Sequence, residues 1–81
     1  MRDVLARVEQ AALADGAARV TRVDVRLGAL SHFTPEHFLE HFEDAARGTI
    51  AEGAVVVASV ESDISHPRAS DVVLESVEVE R

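Results

Sequence analysis

The stretch RVTRVDVRLGAL, residues 19–30, constrains this chain most. Val23, Val25 and Leu27 fall on one parity and Arg22, Asp24 and Arg26 on the other. Side chains alternate across a strand, so this pattern predicts a β-strand with one covered face and one wet face. Whatever covers it has to come from the flanking segments, and both flanks carry a helical period instead. Residues 3–14 place Val4, Leu5, Val8, Ala11 and Ala12 on one stripe of an amphipathic helix. Asp15-Gly16 closes it, the glycine supplying the left-handed residue that commonly follows a helix. After the strand, SHFTPEHF reads as a helix start. Thr34 can cap, Pro35 suits the first helical position, and Glu36 favours the positive end of the dipole. This second helix should run to about Arg47 and stop at Gly48.

Two more strands are predicted. Ala54–Val60, AVVVASV, is apolar on both faces, which favours a central position or a cover over its second face. In the last strand, from about Asp71 to Glu80, Val72 and Leu74 share one parity while Val77 and Val79 share the other. A phase change of one residue flips side chains across a sheet, so a β-bulge near Ser76 is expected. ESDISHPRAS makes a polar connection between these strands. Arg22 and Arg26 are expected to face Glu78 or Glu80. The sum is one α+β domain over residues 1–81, with element order α-β-α-β-β and two helices packed on one face of a three-stranded mixed sheet.

Composition narrows function. In 81 residues, 47% are apolar and 28% charged, within the range of a globular domain. No apolar run approaches the roughly 20 residues of a membrane span, and charges interrupt the N-terminus, so no membrane partner and a cytoplasmic location are expected. Cysteine is absent, which removes thiolate nucleophiles and cysteine-built zinc sites. A net charge of −7 disfavours nucleic acid as a partner.

The pentapeptide HFLEH, residues 37–41, has the spacing of a zinc-peptidase motif, in which both histidines bind metal and the glutamate acts as base. On a helical wheel, however, Phe38, Leu39, Phe42, Ala45 and Ala46 form the buried arc. His37, His41, Glu40 and Asp44 share the opposite, wet face. A peptidase also needs a third ligand and a walled cleft, and only His32 and His66 are at hand as further ligands. A solvated polar face is the preferred reading, with no enzymatic role. His37 and His41 remain as weak opportunistic metal candidates, as imidazole pairs at i, i+4 can be.

Three stretches taken in order, AARVTRVDVRLGALS, PEHFLEHFEDAARGTIAEGA and LESVEVE, resemble the HypA/HybF family. Its members are nickel metallochaperones for maturation of nickel-iron hydrogenases and, in some organisms, of urease. The resemblance covers nearly the whole chain and is most specific in GTIAEGA (residues 48–54) and SVEVE (residues 76–80). It implies an accessory role in nickel delivery by contact with a hydrogenase-maturation GTPase and the hydrogenase large subunit. Two family features are absent. The family's Met-His-Glu opening, which holds nickel, would fall ahead of Met1-Arg2-Asp3, so none of its ligands maps onto a residue here. The zinc ribbon, two Cys-x-x-Cys pairs between the last strands, is replaced by SDISHPRAS. Accordingly no zinc is expected, and nickel only if a longer native N-terminus exists. The double apolar face of Val55, Val56, Val57 and Val60 adds the expectation of a homodimer. The alternative function is a divergent interaction or dimerisation module of the same fold without metal chemistry.

Overall fold

The computed structural model describes residues 2–31, 33–61, 65 and 70–81. Its elements are α1 (Arg2–Ala14), β1 (Arg19–Leu27), α2 (Pro35–Ala46), β2 (Val55–Val60) and β3 (Val72–Glu80), the α-β-α-β-β order expected. Strand order in the sheet is β2-β1-β3. β2 runs parallel to β1 and β3 antiparallel to it, so the sheet is mixed. The parallel pairing follows from the connection, because a strand can return beside its predecessor in the same direction only through a long crossover, and α2 provides it.

Both helices lie on the face that β1's alternation made apolar. Val8 and Ala12 from α1, Phe38, Phe42 and Ala46 from α2, and Val20, Val23, Val25 and Leu27 from β1 form the buried core, joined by Ala51. Phe38 and Phe42 stack with ring centroids 6.2 Å apart. Ala11, placed on the α1 stripe from sequence, is exposed, because it lies at the margin of the arc centred on Val8 and Ala12.

The start of α2 is built as its sequence indicates. Thr34 Oγ1 accepts from the backbone N–H of His37 at 3.2 Å, and Pro35 occupies the first turn. Its end leads into the segment GTIAEGA, which is a pinned turn. Gly48 and Gly53 have φ of 78° and 80°, a region that side chains with a Cβ avoid. The N–H of Gly48 donates to Glu52 Oε2 at 2.6 Å, and the Thr49 hydroxyl donates to the Ala46 carbonyl at 2.7 Å. Ala51 is buried, and the Ile50 carbonyl accepts from the N–H of Val20 at 2.8 Å. The turn thus fixes how α2 hands the chain to β2.

The expected bulge in β3 is present. Asp24 pairs with Ser76 and Val25 with Leu74, leaving Glu75 as the extra residue. Val72 and Leu74 before it, and Val77 and Val79 after it, therefore all pack against the core despite their opposite parity. A second irregularity was not read from sequence. Val20 pairs with Val79 and Arg22 with Glu78, so Thr21 is extra on β1, and its hydroxyl donates to the Glu78 carbonyl at 3.2 Å. This bulge lets Val20 join Val23, Val25 and Leu27 in the core, although its parity differs from theirs.

Two expectations require correction. β2 is an edge strand, and no described residue covers its second face. β1 takes the centre, because it accepts β2 on one side and β3 on the other. Val56 and Ala58 pack downward onto the core, while Val55 and Val57 remain 60% and 41% exposed and Val60 55%. The ion pairs also differ. Arg22 sits opposite Glu78 in register, but its guanidinium turns to Asp24 on its own strand at 3.0 Å. Arg26 reaches Glu75 at 3.1 Å and Glu61 at 3.6 Å, since the bulge brings Glu75 beside it. Glu80 is taken by Arg19 at 2.8 Å.

Candidate metal centre

His37 and His41 stand on successive turns of the outer face of α2, and both are exposed. Their ring centroids are 5.9 Å apart with planes inclined at 59°. The His41 ring also meets the edge of Phe33, 6.2 Å between centroids and 77° between planes. Phe33 in turn is edge-on to the fully buried Phe38 at 5.7 Å, so a chain of ring contacts ties His41 to the core. This role of Phe33 was missed from sequence. Its only signal was an aromatic one residue ahead of the helix cap.

Among the described residues no three histidine or carboxylate side chains cluster as a metal-holding group. His32 and His66, the further ligands considered from sequence, lie outside the described residues. A cleft of ≈ 280 Å³ opens between α1, the approach to α2 and the start of β3. It is lined by Asp3, Val4, Arg7, Phe33, Phe38, Asp71 and Val72, not by the two imidazoles. The paired imidazoles and the Glu40 carboxylate thus stand exposed on the outer face of α2.

The outer face of the sheet carries the perturbed charges. The Arg22 guanidinium, by hydrogen bonds to both carboxylate oxygens, and then the Ser76 hydroxyl, donating at 2.6 Å, hold the Asp24 carboxyl below its ordinary 3.8. The same bonds raise Arg22 above its usual value. These groups are exposed and hydrogen-bonded to one another, an arrangement that orders the outer face of the sheet. No helix among the described residues is long and apolar enough to cross a membrane.

Comparison with known proteins agrees with this architecture. Residues 1–67 match the family model described as hydrogenase/urease nickel incorporation, metallochaperone, hypA. A hydrogenase maturation factor HypA from Methylocella silvestris is 45% identical over 51 residues, covering 63% of this chain and 45% of that protein. Another from Chlorobium limicola is 43% identical over 47 residues, covering 58% of this chain and 40% of that protein. The chain therefore spans less than half the length of the curated relatives it matches. The solution structure of the Ni metallochaperone HypA from Helicobacter pylori superposes with a TM-score of 0.79, at 18% identity, over 98% of this chain and 92% of that one, which shows a shared fold. On the match of residues 1–67, the chain belongs to the HypA family of hydrogenase/urease nickel-incorporation metallochaperones.

Proposed function

We propose that this protein serves nickel delivery in the maturation of nickel-iron hydrogenase or urease, and that it does so as a docking body through protein–protein contact. The observation that carries the reading is the family match over residues 1–67 on a fold in which every motif quoted for the family has a structural task. GTIAEGA is the pinned turn between α2 and β2, and SVEVE is the part of β3 that follows its bulge. The partners this implies are a maturation GTPase and the hydrogenase large subunit, met in the cytoplasm. Complementation tests it. A hydrogenase-positive strain deleted for its own HypA should regain activity on low nickel when this chain is expressed. Failure at low nickel, together with no affinity for the GTPase in titration, removes the reading.

A second reading, a dimerisation module, is favoured by β2. Its outer edge pairs with no strand among the described residues, and it carries three exposed valines and no proline, glycine, lysine or bulge to blunt it. Two copies joined antiparallel through β2 would make one six-stranded sheet with its dyad between the edges. Sedimentation at micromolar concentration decides, and a clean monomer counts against it.

A further inference from the structure

We infer that His37 and His41 form a two-imidazole clip for a single divalent first-row transition ion on the outer face of α2. The assignment stands on geometry and does not depend on the nickel-delivery reading. A metal–imidazole bond is about 2.0–2.1 Å, and with about 1.1 Å from nitrogen to ring centre the ion lies about 3.2 Å from each centroid. Two rings can therefore share one ion only when their centroids are within about 6.4 Å, and at the tetrahedral angle they lie about 5.2 Å apart. The observed separation of 5.9 Å is inside that limit and exceeds the tetrahedral value by less than about 1 Å, a closure within reach of side-chain torsions on an exposed helix face.

The clip is partly organised before any ion arrives. Phe33 holds one side of the His41 ring and is itself anchored on buried Phe38. The hydrogen bond from the His37 N–H to Thr34 Oγ1 fixes the turn that presents His37. Electrostatics act in the same direction. α2 carries Glu36, Glu40, Glu43 and Asp44 and no arginine or lysine, so its surface concentrates cations. Imidazole selects nickel, copper or zinc from that population over magnesium or calcium, which prefer oxygen ligands. Two protein ligands leave at least two coordination positions to water or to a side chain of another protein. Such a clip exchanges its ion readily, which suits transfer and not storage.

Titration of the intact protein with Ni²⁺ tests this. The wild type should bind one ion, with sub-stoichiometric Ni²⁺ selectively broadening the ring proton NMR signals of His37 and His41. Saturating Ni²⁺ should raise the melting temperature, because the i, i+4 spacing exists only while the helix does. His37→Ala and His41→Ala should each weaken binding roughly tenfold or more, the scale on which loss of even a supporting contact to a metal ligand is felt. His37 is exposed, so His37→Ala should leave the melting temperature without metal unchanged, while His41→Ala gives up its edge contact with Phe33 and should melt slightly lower; His32→Ala and His66→Ala should bind as the wild type does. The inference is overturned if the double variant His37→Ala/His41→Ala retains wild-type affinity, or if excess Mg²⁺ displaces Ni²⁺, since either result would assign the binding to the carboxylates. Loss of binding in His32→Ala or His66→Ala, with His37→Ala and His41→Ala unaffected, would overturn it equally.

Discussion

β2 and β3 flank the same central strand, yet their edges are finished differently. β3 is nine residues long, bulged at Glu75, and studded with Glu75, Glu78 and Glu80 on its wet side. Glu75 and Glu80 are engaged by Arg26 and Arg19, and the Ser76 hydroxyl reaches Asp24. Bulges and edge charges are the devices by which sheets discourage pairing with another chain. β2 is six residues long, regular, and lined by Val55, Val57 and Val60 in water. The contrast teaches that exposure alone does not mark a docking edge. What distinguishes β2 is exposure of apolar side chains together with the absence of every protective device that β3 carries.

The comparison can be attacked first where the expected effect is largest. Replacing Val77 and Val79 together by serine should remove from the core the two side chains that the β3 bulge turns inward. These side chains are half-buried, so the loss should be about 2–3 kcal/mol of unfolding free energy by urea titration. A loss below about 0.5 kcal/mol would mean that the β3 bulge does not carry these side chains onto the core. Next, Val57→Lys on β2 should weaken any self-association by about tenfold or more, or about 1.4 kcal/mol, with monomer stability nearly unchanged. Sedimentation that shows the same association in both proteins would move the interface away from β2.

Deleting Glu75 should cost less, within about 1 kcal/mol, because Val72, Leu74, Val77 and Val79 then alternate regularly and only the exposed Arg26 contact is lost. A deletion as damaging as the double serine replacement would refute the proposed role of the bulge. The smallest effect concerns Asp24. Its carboxyl is lowered in the folded state, so the stability it contributes is present above the ordinary carboxylate value of 3.8 and is lost as pH falls through the lowered one. Asp24→Asn should therefore differ from wild type at neutral pH and converge with it in strong acid, as read by thermal melts across pH 2–7. Parallel curves would show that Asp24 acts by packing and not by charge.

Much of the site was legible before the structure. The wheel of α2 put His37 and His41 on the wet face, and they are there. What the wheel could not show was Phe33 against His41, since that contact depends on how the chain approaches the helix and not on the helix's own period. The ion pairs were misplaced for a related reason. Arg22 and Arg26 were assigned partners by strand register, but exposed side chains choose among several carboxylates within reach, and the bulge altered which one was nearest.

Element order, the centre of each helix's buried face (Val8 and Ala12, Phe38, Phe42 and Ala46), the Thr34 cap, the glycine stops and the β3 bulge were determined by sequence alone. Each is a local matter, in which propensity and hydrophobic period act over a few residues. The central place of β1, the edge position of β2 and the compensating bulge at Thr21 were decided only in the tertiary structure. A valine-rich strand reads alike whether it is central or at an edge. Its place is set by which neighbour the α2 crossover delivers it to and by where the helices have already spent their apolar faces.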